Sequence, residues 1–421
     1  MRRVAFLSHI VAASSLLLFV FLGVAEAQLT PEQQLGNALY FDVNLSINRN
    51  QSCASCHDPL TGFVDPDNTS PNPVPPPAFF PVSEGSVAGL FGGLNAPSAA
   101  YAAFSPFFHW DGVEGLYVGG QFWNGRANTL AEQAAGPPLN PVEMAMPDKW
   151  SVVARLQENP AYIAAFSAVY GLDLEAIAPY DPTQPTPPGV LEVYDRMAKA
   201  IGEFEKTELF TPFDSKFDYF LAGRVTLTKQ EEKGLKLFNQ QGKCNLCHLS
   251  AGTIAPDGVS VIPPLFTDFT YDNLGLPQNL YIPGQPIDPG LGGREDIADK
   301  DPLGLQLGKH KVMTLRNIEL TPPYGHNGVF QSLKEIVHFY NTRDVLPPCD
   351  PALGNTDPGF ALTCWPAPEV PQNVNVDELG ALRLTSEQED DIVAFLLTLT
   401  DGWGPANGMP PLPRPPMPPF P

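Results

Sequence analysis

Two short stretches carry chemistry by residue type and spacing alone: Cys53-Ala54-Ser55-Cys56-His57 and Cys244-Asn245-Leu246-Cys247-His248. C-x-x-C-H is the attachment site of a c-type haem. The two thiols add to the haem vinyl groups as thioethers, and the adjacent histidine lies under the iron as its proximal ligand. Zinc sites built from C-x-x-C pairs need no histidine directly after each pair, and a separation of about 190 residues is too long for one small zinc ribbon. A thioredoxin-type motif would occur once, beside a βαβ pattern. The expectation is two covalently bound c-type haems: one on Cys53 and Cys56 with His57, one on Cys244 and Cys247 with His248.

The segments that must position these motifs resemble each other. Leu29-Thr30-Pro31-Glu32-Gln33-Gln34-Leu35-Gly36 precedes the first, and Leu227-Thr228-Lys229-Gln230-Glu231-Glu232-Lys233-Gly234 the second. Thr30 and Thr228 are N-cap residues by type, Pro31 suits the first helical position, and Gln33 and Glu231 complete a capping box. Leu35, Leu39 and Tyr40 give one helix its apolar face; Leu235 and Phe238 do so in the other. Thr385-Ser386-Glu387-Gln388 opens a further helix, buried through Ile392-Val393-Ala394-Phe395-Leu396-Leu397. Strand patterns are scarce, and Pro makes up 48 of 421 residues, clustered at 71–81, 182–188 and from Pro405 onward. The predicted fold is mainly α, with two cytochrome c-like domains, each holding one covalent c-type haem, and long Pro-rich loops in which a cofactor helps supply the core. The domains are placed at 28–205 (peroxidatic haem) and 206–404 (second haem). A Pro-rich tail, 405–421, is expected to be extended or disordered.

Residues 1–27 read as a secretory signal peptide: Arg2 and Arg3, an apolar run from Val11 to Val24, then the cleavage pattern Ala25-Glu26-Ala27. An uncleaved membrane anchor is the alternative. No other stretch is apolar enough to span a bilayer, so the mature chain is expected in the periplasm and off the membrane. In an oxidising compartment Cys349 and Cys364 are expected to pair as a disulfide, contributing ~3 kcal/mol by the chain-entropy argument; two free buried thiols are the alternative. A net charge of −22 argues against nucleic acid as a partner, because phosphate binding needs clustered Lys and Arg.

The rest of the chain resembles the bacterial di-haem cytochrome c peroxidase superfamily. The resemblance rests on Gln121-Phe122-Trp123-Asn124-Gly125-Arg126-Ala127, Leu130 to Pro137, Asn140-Pro141-Val142-Glu143-Met144, Phe213-Asp214 with Tyr219 to Gly223, and Leu315-Arg316-Asn317 with Thr321 to Gly328. The superfamily contains ordinary peroxidases and MauG-type enzymes, which oxidise side chains of a partner protein. The resemblance implies that Glu143 is the distal acid/base that takes a proton from bound peroxide and returns it to the leaving oxygen. It makes Gln133 the companion of Glu143 and Pro137 a distal-pocket residue. It places Trp123 between the haems as an electron relay. It assigns Asn95, Thr321 and Pro323 to an inter-haem Ca2+ site, for which oxygen donors are suited. Taken singly, Glu143 reads as a surface or capping acid, Trp123 as core and Asn95 as a turn residue; their joint spacing carries the assignment.

Two departures point to the MauG-type branch. Ordinary members often carry a distal His after the first motif, whereas here none lies between His57 and His109. Where ordinary members place a Met ligand on the second haem, this chain has Tyr340. A phenolate is a hard anionic donor that favours high-valent iron and lowers the potential relative to a thioether. The alternative is a packed Tyr340, with His338, His326, Met313 or nothing as the sixth ligand. The expectation is a periplasmic peroxidase that uses H2O2 at the His57 haem and draws electrons from a protein electron donor or protein substrate. The rivals are a conventional cytochrome c peroxidase fed by a small redox protein, a non-enzymatic di-haem electron carrier, and an extracellular oxygenase of the same superfamily.

Overall fold

The computed structural model describes residues 29–68, 81–255, 257–284 and 286–417. The expected signal peptide and most of the 71–81 Pro-rich stretch lie outside the described residues. Among the described residues seven helices exceed eight residues: α1 (Pro31–Tyr40), α2 (Lys149–Gln157), α3 (Pro160–Tyr170), α4 (Val190–Glu205), α5 (Lys229–Asn239), α6 (Leu333–Thr342) and α7 (Ser386–Leu396). Strands are two or three residues long and form three two-stranded antiparallel sheets: β1 (His109–Asp111) with β2 (Leu116–Val118), β3 (Thr253–Ile254) with β4 (Val261–Ile262), and β5 (Tyr271–Asp272) with β6 (His310–Lys311). No helix among the described residues is long and apolar enough to cross a membrane.

The caps form as the sequence dictates. Thr30 Oγ1 accepts from Gln33 N at 3.2 Å, and Gln33 Oε1 from Thr30 N at 3.0 Å. Thr228 with Glu231 repeats the reciprocal pair on α5, and Thr385 with Gln388 does so on α7. α7 buries Ile392, Phe395 and Leu396, but Leu397 is exposed, because the helical period turns it out of the stripe.

Two separate cores follow. In the first, α1 crosses α4 and buries Leu35, Leu39 and Tyr40 against Ala200, Ile201 and Phe204; this core runs on through Phe210 and Phe213. In the second, α5 crosses α7 and buries Phe238 against Ile392 and Phe395, with Phe217, Phe266 and Phe339. Each crossing occurs at a glycine. A Cβ on Gly36 would stand 1.9 Å from Ala200 O, and one on Gly234 1.9 Å from Asp391 O. Gly234→Val must therefore push α5 off α7. It should lower stability by about 3 kcal/mol or more, read as a fall in Tm of the haem-loaded protein; an unchanged Tm would refute the close crossing.

The two halves lock through a buried polar network. The Tyr101 hydroxyl donates to Asp401 Oδ2 at 2.9 Å, and its ring lies 4.9 Å beneath the guanidinium of Arg316, which is 2% exposed and held within the second half by two bonds of 2.8 and 2.9 Å to Asp218. The Pro-rich tail is extended yet held: Tyr219 donates to Pro410 O at 3.0 Å, Arg414 to Thr211 Oγ1 at 3.0 Å, and Met417 packs on the first core.

Candidate functional site

Each C-x-x-C-H motif is one tight helical turn that brings its histidine beneath the preceding cysteines: His57 N donates to Cys53 O at 3.0 Å, and His248 N to Cys244 O at 2.8 Å. The rings are fixed in the same way. His57 Nδ1 donates to Phe63 O at 3.1 Å, and His248 Nδ1 to Phe266 O at 2.8 Å. Both phenylalanines are buried and hold positive φ, 63° and 54°, a conformation that L-residues adopt at a cost and that aims each carbonyl at its histidine. Burial lowers both imidazole pKa values, that of His248 to about 4. Each ring is therefore neutral, with Nδ1 carrying the proton and Nε2 left as the nitrogen that binds iron. None of the four motif cysteines is disulfide-bonded. A thiol pair and a neutral, oriented imidazole on each half fit two covalently attached c-type haems.

Beside the first motif lies a cavity of about 310 Å³, lined by Phe122, Arg126, Ala127, Glu132, Gly136, Pro137, Asn140 and Glu143. Glu143 sits at the end of the turn Asn140–Glu143, closed by Glu143 N donating to Asn140 O at 3.0 Å. Asn140 Nδ2 donates to Glu143 Oε1 at 2.7 Å and orients the carboxyl. Burial raises the Glu143 pKa, and the Arg126 guanidinium and the Asn140 bond oppose the rise. Its charge reaches the Cys53 and Cys56 thiols. Arg126 is held by its stack on the Phe122 ring, 3.5 Å from the centroid. Gln133 lies half-buried on the short helix Leu130–Ala134, and its neighbour Glu132, not Gln133 itself, lines the cavity.

A general base must be deprotonated, so if Glu143 removes the peroxide proton, the rate should rise with pH through its elevated pKa. Asn140→Ala removes one group that favours the carboxylate and should move the inflection of the peroxide-reaction rate to higher pH. Stopped-flow profiles of the two proteins, superimposed, would refute that coupling.

Trp123 stands outside this cavity. Its indole Nε1 donates to Asn95 O at 2.8 Å. Asn95 in turn bonds Pro323 O through its side chain and His326 O, at 2.8 Å, through its backbone. The structure thus brings Trp123, Asn95 and Pro323 together, with Thr321 two residues along the same loop. The gathered donors are neutral oxygens, the type that a hard cation accepts. Trp123 also meets the rings of His310 and His326 edge-on at 6.4 and 6.3 Å, and these two stack at 3.6 Å.

Tyr340, on α6, packs in the second core with Cys244, and burial raises its phenol pKa. The alternative ligands make contacts of their own, which for His338 involve Nδ1 and for Met313 its backbone. His338 Nδ1 bonds Glu389 Oε1 at 2.8 Å, His326 bonds Glu369, and Met313 reaches His248 through its backbone on the proximal side. Cys349 and Cys364 form a disulfide, with Cα atoms 4.9 Å apart. Beside it, Trp365 packs edge-on against Phe339 at 5.1 Å and donates to Thr342 Oγ1 at 3.0 Å, bracing the helix that carries Tyr340.

Sequence reasoning singled out neither Asn140 nor Arg126 as a functional residue, although both lie in quoted motifs. Asn140 stands three residues before Glu143, within turn reach, and that spacing was the available signal. The stacked His310 and His326 come from β6 and the loop that follows it, and gave none.

The model of the family described as di-haem cytochrome c peroxidase matches residues 30–226. The methylamine utilization protein MauG of Paracoccus denitrificans is 39% identical over 378 residues, spanning 87% of this chain and 88% of that protein. The cytochrome c peroxidase Ccp of Escherichia coli is 35% identical over 295 residues, 70% of this chain and 49% of that one. Among solved structures, the diheme peroxidase BthA of Burkholderia thailandensis superposes with a TM-score of 0.69 at 29% identity, covering 90% of each chain. The chain belongs to the di-haem cytochrome c peroxidase family: it carries two c-type haems and is an oxidoreductase that acts on hydrogen peroxide.

Proposed function

We propose that this enzyme is of the MauG type: exported to the periplasm after loss of residues 1–27, it reacts with peroxide in the fully ferric state and draws its electrons from a partner protein. The observation that carries this reading is the cavity beside the first motif, which presents Glu143 and Arg126 with no histidine among the described residues that line it. The identity with MauG over most of both chains supports it.

Bound haem supplies the iron that accepts two oxidising equivalents from H2O2. Glu143 takes the proton from the incoming oxygen and delivers it to the departing one, so that H2O2, two electrons and two protons give two waters. Asn140 holds the carboxyl in place. Gln133, next to the cavity-lining Glu132, and Pro137 shape the approach. Trp123 conducts between the two halves. Its N–H is committed to the Asn95 carbonyl, an oxygen that is no base, so the indole passes electrons without releasing its proton. Asn95, Thr321 and Pro323 hold Ca2+, and Tyr340 is the second protein ligand of the haem on His248. The halves 28–205 and 206–404 each fold around one haem.

The test is electron paramagnetic resonance with near-infrared absorbance on the ferric protein, before and after one equivalent of H2O2. Loss of both ferric signals without prior reduction is expected. No reaction until one haem is reduced would overturn the reading in favour of a conventional cytochrome c peroxidase, and no reaction in either state would leave an electron carrier.

A further inference from the structure

A small third cluster lies apart from both cores. Tyr271, Leu291 and Ile297 form its buried part, with Phe108 and Tyr117 packed against them. Three of its aromatic rings, with Trp110, make a column that ends at the surface. Trp110, on β1 and 50% exposed, meets the Tyr117 ring edge-on at 4.9 Å. Tyr117 stacks on Phe108 at 5.1 Å with the planes 6° apart, and Phe108 meets Tyr271 edge-on at 5.8 Å. Tyr271, 3% exposed, is the inner end. It faces Lys311 across the β5–β6 pair, and Lys311 N donates to Trp123 O at 2.8 Å. Its hydroxyl also lies against Gly125, two residues from Trp123, where a Cβ would collide with it.

The chemistry of the rings assigns their parts. Indoles give up an electron without losing a proton, so the two tryptophans suit the ends. The Tyr271 hydroxyl is committed to Gly119 O and has no base to take its proton. Phe108 is hard to oxidise, and the Arg294 guanidinium 4.1 Å over its ring makes it harder. The three middle rings are therefore packed conduits. Gly119 and Gly120, both at positive φ, return the chain from the hairpin directly into the Trp123 loop, so the exposed end and the buried end share one rigid element.

We propose that Trp110 is the surface residue at which electrons from the protein donor enter, passing along Tyr117, Phe108 and Tyr271 towards Trp123. This rests on the peroxidase reading above. Trp110 loses one electron inward and regains one from the donor, and two such cycles reduce one H2O2 to two waters. Without a donor the oxidation has nowhere to be refilled. Trp110 then loses two electrons and two protons while gaining the oxygen of one water, so that overall one tryptophan and one H2O2 give one hydroxytryptophan and one water.

Incubating the haem-loaded protein with H2O2 and no donor, followed by peptide mass spectrometry, should show an added oxygen on Trp110. A reduced small c-type cytochrome added with the peroxide should suppress it. Tyr117→Leu breaks the column while leaving Trp110 exposed, and should cut the modification several-fold. Trp110→Phe should abolish it and slow re-reduction by the cytochrome about tenfold, with the haem spectrum still responding to peroxide. An unmodified Trp110 in a protein whose spectrum does respond would overturn the route and leave the peroxidase reading standing. Equal modification in Tyr117→Leu would overturn it too, as direct attack on an exposed indole. A spectrum that does not respond would overturn both.

Discussion

Replacing Glu143 by Gln should slow the reaction with H2O2 by about 10²–10⁴-fold, the usual worth of a positioned acid/base. That corresponds to about 3–5 kcal/mol of barrier. The amide matches the carboxyl in size and keeps one oxygen to accept from Asn140 Nδ2, now 2.7 Å away, so the cavity should keep its shape. It lacks a site that takes a proton at neutral pH. Haem attachment depends on Cys53, Cys56, Cys244 and Cys247, none of which bonds to Glu143, and both haems should remain bound. The reading is the stopped-flow rate of the Soret change together with the haem-to-protein ratio. A rate within threefold of the wild type would remove Glu143 from the proton path; lost haem would show that the substitution acts on folding instead. Arg126 offers a contrast. It favours the ionised form of Glu143, so Arg126→Leu should shift the pH at which the rate rises upward while leaving the plateau above it.

The parts of this molecule that could be read in its sequence are those encoded by neighbours in the chain. Thr30 with Gln33, and Thr228 with Glu231, are three residues apart, and a capping box needs nothing else. C-x-x-C-H is likewise a local code, since one helical turn places both thiols and the histidine on one haem. The resemblance to a family added Glu143, Trp123 and Tyr340, which no local rule distinguishes from a capping acid, a core indole and a helix-packed phenol. What stayed hidden depends on the meeting of distant segments. Phe63 and Phe266 take a left-handed backbone to aim their carbonyls at His57 and His248, and nothing in the residue type announces this, because Phe is a poor candidate for positive φ. The glycines at the helix crossings were visible only as a repeated letter; their need becomes plain once Ala200 O and Asp391 O are seen where a Cβ would go. The column from Trp110 to Tyr271 joins distant parts of the chain only at its last step, from Phe108 to Tyr271, and the stack of His310 on His326 joins β6 to the loop after it. Periodicity arguments cannot see such pairs.

Tyr340→Met should raise the potential of the second haem by a few hundred millivolts, since axial ligands alone move haem potentials across a range of about 0.8 V. The surroundings of Tyr340 decide the sign. Burial pushes the phenol pKa up, because a phenolate there would lose its water. A phenolate would persist there only if a cation bound it, and haem iron held by His248 would be that cation. Methionine gives a neutral, soft thioether in place of that anion and so favours the ferrous state. The substitution conserves volume well enough that α6, braced by Trp365 on Phe339 and by Asn341 and His338 on Glu389, should stay in place. Two readings follow from one protein. The low-spin ferric spectrum should change, and the variant should lose its reaction with peroxide in the fully ferric state, requiring one electron first as a conventional peroxidase does. A shifted potential with undiminished ferric reactivity would separate ligation from storage of the oxidising equivalent. An unchanged spectrum and potential would remove Tyr340 from the iron altogether, and the second departure from ordinary peroxidases would then lose its chemical meaning.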